Sequence, residues 1–343
     1  MSCGTTLEEK ELQELFAQIT LPLKEEISPF LKKKKVIVIA GPTAVGKTKH
    51  SLLIAQKIGG EIISADSMQV YREMDIGTAK VSKEDQKRAV HHLIDVRDLS
   101  ERFNVMDFYQ QAHKVIREIH AKDGVPIIVG GTGFYLHALI YGPPQGPPSV
   151  PEVRERLEEE IKDKGADELY ERLKEFDPEY AKTITGADRH KIVRALEIIS
   201  LTNKKVSDFP KEPEKDIPYN FRCWFLYMPK EILYPHIEMR CDEMIAAGLI
   251  EEVKSLKEKG LEKNRVAAQA IGYRQCLEFL KSDQTPEDFE VFVAAFKRAS
   301  RRYAKRQFTW FRQEPLFRWL NVENLPIEKT SETIMQDYSH PNG

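Results

Sequence analysis

The sequence predicts an α/β protein, a parallel sheet flanked by helices with a helical lobe inserted into it. Three observations carry that expectation. Short apolar runs alternate with helical stretches between residues 36 and 140, the order that builds a parallel sheet covered on both faces. The first run, Val36–Ala40, feeds straight into Gly41-Pro42-Thr43-Ala44-Val45-Gly46-Lys47-Thr48. That is a complete G-x4-G-K-[ST] phosphate loop, and it makes the expected core P-loop NTPase-like. A proline-rich break at Tyr141–Pro151 then precedes a charged, helix-rich stretch, which reads as the insertion.

Residues 1–31 form an expected N-terminal extension, acidic at Glu8, Glu9, Glu11 and Glu14 and without a signal-peptide pattern. Strands are predicted at Val36–Ala40, Ile62–Ala65, Leu93–Val96 and Val125–Val129, with helices at Lys47–Ile58, Lys83–Val90 and Val105–Lys122 between them. The helical insertion is set at 143–200. A strand at Phe221–Met228 returns the chain to the sheet, and the rest is mainly helical. The P-loop core thus comprises 32–142 and 201–325, with a flexible tail over 326–343.

Composition narrows the classes. The 343 residues are 41% hydrophobic, ample for a core, and the net charge of −2 excludes a uniformly basic nucleic-acid binder but not a local basic stripe. Cys3, Cys223, Cys241 and Cys276 are scattered, which fits neither zinc spacing nor a disulfide framework. Reduced thiols in a cytoplasmic, monomeric protein are the expectation. No apolar run approaches ~18 residues, so no membrane span is predicted.

The phosphate loop has specific chemistry. Its glycines let backbone N–H groups curl around an anion, and the following helix points its positive end at the same place. Lys47 adds a full charge, and the Thr48 hydroxyl reaches a phosphate-bound Mg²⁺. A di- or triphosphate ligand follows. Motor and GTPase features are missing, since Ile127-Ile128-Val129 ends in Gly130-Gly131-Thr132 without an acid, and there is no N-K-x-D. An acid does follow the second strand, at Asp66. It faces the mouth of the loop and suits a general base on an acceptor, or else an N-cap. His91-His92 is no metal pair, because neighbours on a strand point oppositely. Ala294–Arg312 carries seven cations (Lys297, Arg298, Arg301, Arg302, Lys305, Arg306, Arg312) and no acid, followed closely by Phe308, Trp310 and Phe311. A basic helix face with aromatics suits an RNA backbone and a stacked base.

With these in place, the chain resembles the bacterial tRNA dimethylallyltransferases (tRNA isopentenyltransferases, the IPP transferase family). The matching segments are GPTAVGKT at 41–48, SADSMQVYREMDIGTAK at 64–80, HHLIDV at 91–96 and PIIVGGTGFYLHAL at 126–139. RALEII at 194–199, MIAAGLIEEV at 244–253 and AIGYRQ at 270–275 extend the match over roughly 35–315. The resemblance implies transfer of a dimethylallyl group from its diphosphate to N6 of adenosine 37, beside the tRNA anticodon, with Mg²⁺. It implies that Asp66 is the base, that Thr43 lies near the reacting groups, and that Arg240 contacts the diphosphate. Thr132, Arg154, the Asp66-Ser67-Met68-Gln69 segment, His190-Lys191-Ile192-Val193-Arg194 and Ile271-Gly272-Tyr273-Arg274-Gln275 are implied to contact the tRNA anticodon stem-loop. Two positions depart from the family's usual arginines. Lys191 offers a point charge in place of a two-pronged contact, and His236 stands four residues before Arg240.

Two other readings remain open on the sequence. One is a free-nucleotide enzyme, an adenylate isopentenyltransferase or small-molecule kinase; the other is an RNA-binding protein whose loop senses a nucleotide. The insertion and the basic stripe argue against the first, and an acid at Asp66 against the second.

Overall fold

The computed structural model describes residues 33–144, 146–209 and 219–340. Six strands form one sheet in the order β3-β2-β4-β1-β5-β6, with parallel pairing throughout. They are β1 (Lys34–Ala40), β2 (Gly60–Ser64), β3 (His91–His92), β4 (Val125–Gly130), β5 (Tyr219–Tyr227) and β6 (Arg318–Asn321). Val36 to Ala40 are completely buried, because helices cover both faces of the central strand. Register sets the ends level: Ala40 of β1 lies beside Gly130 of β4 and Phe225 of β5. The loops after β1, β2 and β4 therefore converge at one edge, where ligands of such sheets bind.

The helices of the first half are α1 (Lys47–Ile58), α2 (Lys83–Arg88), α3 (Val105–Ala121) and α4 (Gly133–Tyr141). Asn104 caps α3, accepting from Met106 N and Asp107 N, while Asp107 returns the bond to Asn104 N. The lobe follows, with α5 (Pro151–Lys164), α6 (Ala166–Phe176), α7 (Pro178–Ala181) and α8 (Arg189–Thr202). It packs around its own apolar cluster, including Leu157, Leu173, Ile192 and Leu196. The chain then adds α9 (Lys230–Ala246), α10 (Leu249–Glu258), α11 (Tyr273–Phe279), α12 (Pro286–Phe311) and α13 (Ile327–Ser339). Along α12, Phe292, Phe296, Ser300, Ala304, Gln307 and Phe311 are buried, the three- and four-residue spacing of one inward face.

Several expectations change. The strand set at Leu93–Val96 is only the pair His91–His92, because Leu93 (φ 60°) and Asp95 (φ 55°) turn left-handed and end the ladder. The tail after Pro326 is a helix, α13, with Thr330, Ser331 and Ile334 buried and packed on α1. The sheet gains β6, four residues long. The expected extension over 1–31 lies outside the described residues. The lobe also runs past 200. Asp177, fully buried, accepts from Ser207 N (2.9 Å), Ser207 Oγ (2.7 Å) and Tyr180 N (3.0 Å). Burial raises its pKa, but these donors outweigh that and hold the carboxyl below the usual range. Asp177→Ala is expected to loosen the lobe by about 1–3 kcal/mol, read as faster amide exchange over α6–α8 while the sheet stays protected. In the wild type this stabilisation persists above the ordinary carboxylate pKa and is lost as pH falls through the depressed one.

Candidate active site

The phosphate loop turns between β1 and α1 with Ala44 (φ 64°) and Gly46 (φ 94°) left-handed. Alternating hands of this kind point successive N–H groups into one concavity, and glycine takes the second position without a Cβ penalty. Lys47 folds back over the loop, and its Nζ donates to the Gly41 and Pro42 carbonyls (2.9 and 2.8 Å). Burial, then the neighbouring Arg240, push its pKa down to about 7 against the pull of Asp66. Arg240, on α9, donates from Nη1 to Thr43 Oγ1 (3.3 Å). Burial lowers its pKa too, again opposed by Asp66. Two cations thus stand together at the phosphate loop, Lys47 on its carbonyls and Arg240 on Thr43. Thr48 stands exposed in the first turn of α1.

This geometry has a pH consequence. Below pH ~7 Lys47 is already an ammonium, and above it binding a diphosphate must take up a proton. Affinity should therefore fall as pH rises from about 7 toward the lysine's value in the complex. Calorimetry at alkaline pH in two buffers of different ionisation heat would show the uptake. Lys47→Arg, which keeps its charge, should show only the ligand's own protons.

Asp66 does part of what an N-cap does. Its Oδ1 accepts from Met68 N (2.8 Å) and Gln69 N (3.3 Å), and Oδ2 takes no hydrogen bond from the described residues. The charges of Lys47 and Arg240 lie close enough to interact with this carboxylate, so its capping bonds leave it beside the phosphate loop. Thr132 accepts from Ser67 N at 3.2 Å, and beside it the Tyr303 hydroxyl, pushed up by burial first and by Asp66 next, donates to the Gly131 carbonyl at 3.5 Å.

Gln307 and Glu252, which the sequence did not flag, hold these loops together with Gln69. Gln307 of α12 accepts from Thr43 N (3.0 Å) and donates to the Gly131 carbonyl (3.1 Å). Glu252 of α10 accepts from Asp75 N, Ile76 N and Gly77 N (3.1, 2.7 and 3.2 Å) and from the Tyr273 hydroxyl at 2.6 Å. Gln69 takes the Ser64 hydroxyl (3.1 Å) and donates to the Thr78 carbonyl at 3.2 Å. A cavity of about 430 Å³ opens beside Arg240, lined also by Asp75, Ala79, Lys80, Glu243 and Met244.

The residues implied to contact tRNA divide by position. Ile192 and Val193 are buried in the lobe core, and Arg194 donates to Glu197 Oε2 (2.7 Å) and the Pro147 carbonyl (2.5 Å). Ile192 and Val193 thus serve the lobe core, while Arg194 braces the linker and keeps part of its guanidinium exposed. Tyr273 and Gln275 are likewise buried. Tyr273 braces Glu252, and Gln275 accepts from Gly272 N at 2.9 Å. Ile271 packs partly buried against the core. His190, Lys191 and Arg274 are exposed, as is His236 one turn before Arg240. Arg154 pairs with Glu158 at 3.1 Å, and Glu158 also pairs with Arg265 of the core at 3.0 Å. On α12 the basic stripe splits. Lys297 and Arg301 are engaged by Asp242 and Glu238, whereas Arg298, Arg302, Lys305 and Arg306 remain exposed. Of the aromatics read as a stacking site, Phe311 is core and Phe308 packs on Phe225 and Trp319. Trp310 is exposed, edge-on to Phe134.

A parallel sheet whose strand ends gather a phosphate loop, with two cations and a carboxylate beside it, defines a P-loop α/β protein. A family model described as IPP transferase matches residues 69–314, and the chain belongs to that family. It is 55% identical over 340 residues to the tRNA dimethylallyltransferase of Protochlamydia amoebophila, covering 98% of each chain. Over 310 residues it is 48% identical to the Chlamydia caviae tRNA dimethylallyltransferase, covering 90% of this chain and 91% of that one. Among solved structures it resembles the tRNA isopentenylpyrophosphate transferase of Bacillus halodurans (TM-score 0.66, 38% identity, 90% and 98% of the two chains). It also resembles a eukaryotic dimethylallyltransferase acting on tRNA (TM-score 0.73, 29% identity, 88% and 77%).

Proposed function

We propose that this enzyme transfers a dimethylallyl group from dimethylallyl diphosphate to N6 of adenosine 37 in the tRNA anticodon loop, releasing diphosphate. The observation that supports it most is the shared electrostatic field of Asp66, Lys47 and Arg240 at the mouth of the phosphate loop. A carboxylate facing two cations suits a reaction that removes a proton on one side and expels an anion on the other.

The loop N–H groups, Lys47 and Arg240 grip the diphosphate. As the allylic C–O bond breaks, the bonding pair leaves with the diphosphate, and these donors stabilise the growing charge. N6 forms the new C–N bond, and Asp66 takes the amine proton and passes it to solvent. Adenosine 37 leaves its stack to reach the carboxylate, at a cost of a few kcal/mol. The donor set fits Mg²⁺ only in company with the ligand. Among the described residues no group of three or more His, Cys, Asp or Glu can cage a metal, so Thr48 would hold the ion together with diphosphate oxygens. Once bound, the ion adds positive charge at the leaving group.

The exposed Arg298, Arg302, Lys305 and Arg306 give the tRNA backbone a counter-charge, and the lobe supplies His190, Lys191 and Arg154. No helix among the described residues is long and apolar enough to cross a membrane, which fits a cytoplasmic place beside tRNA. Offering an unmodified anticodon stem-loop and AMP as competing acceptors tests the assignment. Transfer to the RNA is expected. Transfer to AMP alone would move the chain to the free-nucleotide enzymes.

A further inference from the structure

Gln307 is buried, 4% exposed, and both ends of its amide are used. Oε1 accepts the Thr43 N–H and Nε2 donates to the Gly131 carbonyl. Those partners belong to the loops that follow β1 and β4, so one side chain of α12 clamps the two loops to each other. The fit is close: a Cβ on Gly131 would fall 2.1 Å from Nε2, so any other residue there would push the amide out of its present position. Thr43 in turn accepts from Arg240 through Oγ1. A continuous path of contacts thus runs from α12 through Gln307 and Thr43 to the guanidinium beside the phosphate loop. The opposite face of the same helix presents Arg298, Arg302, Lys305 and Arg306 to solvent.

We infer that Gln307 is a positioning residue for the reaction. It fixes Thr43, and through it the loop and Arg240, in the arrangement that grips a diphosphate. It also ties that arrangement to the helix whose outer face carries the cations for RNA. The inference rests on the prenyl-transfer reading for its acceptor, but not for its diphosphate.

The test compares full-length wild type, Gln307→Met and Gln307→Glu. It measures calorimetric binding of inorganic diphosphate with Mg²⁺, single-turnover transfer to tRNA, and thermal midpoints. Gln307→Met should bind diphosphate about tenfold more weakly and slow transfer at least as much, with a midpoint within about 3 °C of wild type. In Gln307→Glu the protonated acid offers the same acceptor and donor as the amide. Its affinity relative to wild type should therefore recover as pH falls, whereas that of Gln307→Met should not. Diphosphate affinity within about twofold of wild type in Gln307→Met, or a Gln307→Glu deficit that ignores pH, would overturn the inference while wild-type transfer stood. A wild type inactive on tRNA, with the diphosphate results as expected, would remove the acceptor reading and leave Gln307 its role.

Discussion

Asp66→Asn is expected to slow dimethylallyl transfer by about 10²–10⁴-fold without weakening either substrate's binding. The amide keeps an oxygen for Met68 N and Gln69 N, which Asp66 Oδ1 serves in the wild type, so the loop should hold its shape. What disappears is a proton acceptor. Diphosphate should bind as well or more tightly, since a negative charge facing Lys47 and Arg240 is gone. Single-turnover rates beside calorimetric affinities separate these effects. A rate within about tenfold of wild type would take Asp66 out of the chemistry and leave it only a cap.

Lys47→Met and Arg240→Met form the second large expectation, at the other end of the breaking bond. Each removes a cation aimed at the departing diphosphate, and each should cost at least about 10²-fold in single-turnover rate. The double variant should lose less than the product of the two, because both act on one leaving group. Inorganic diphosphate should bind more weakly to both single variants. Unchanged rates with weakened binding would mean that these residues hold the ground state only. Arg240 carries the sharper test, because its Thr43 contact links it to the loop that Gln307 clamps.

Most of the sheet could be read from the sequence because its strands are buried on both faces and so appear as continuous apolar runs. Where the reading failed, particular residues and contacts explain it. Leu93–Val96 is apolar enough for a strand, but two left-handed residues end it. β6 is too short to carry a period, and α13 gained its order by packing on α1, which no local pattern announces. The phosphate loop and the place of Asp66 after β2 were legible for the opposite reason, since each sits in a short segment of fixed spacing. Gln307 was not. Its bond to Thr43 spans 264 positions, and a glutamine among arginines carries no signal of burial. The segments resembling tRNA contacts mix two kinds of residue. His190, Lys191 and Arg274 are exposed, while Ile192, Val193 and Tyr273 fill cores that hold the surface in place. A motif records both without saying which is which.

Locating the transferred group separates prenyl transfer to tRNA from its alternatives. Purified enzyme, labelled dimethylallyl diphosphate, Mg²⁺ and an unmodified tRNA bearing adenosine 37 would be incubated, and the RNA digested to nucleosides for mass spectrometry. Prenyl transfer to tRNA should leave one five-carbon group on N6 of adenosine 37, one diphosphate released per transfer, and no label in a tRNA whose position 37 is guanosine. Label on AMP but not on tRNA, or phosphate from ATP appearing on an acceptor, would contradict it.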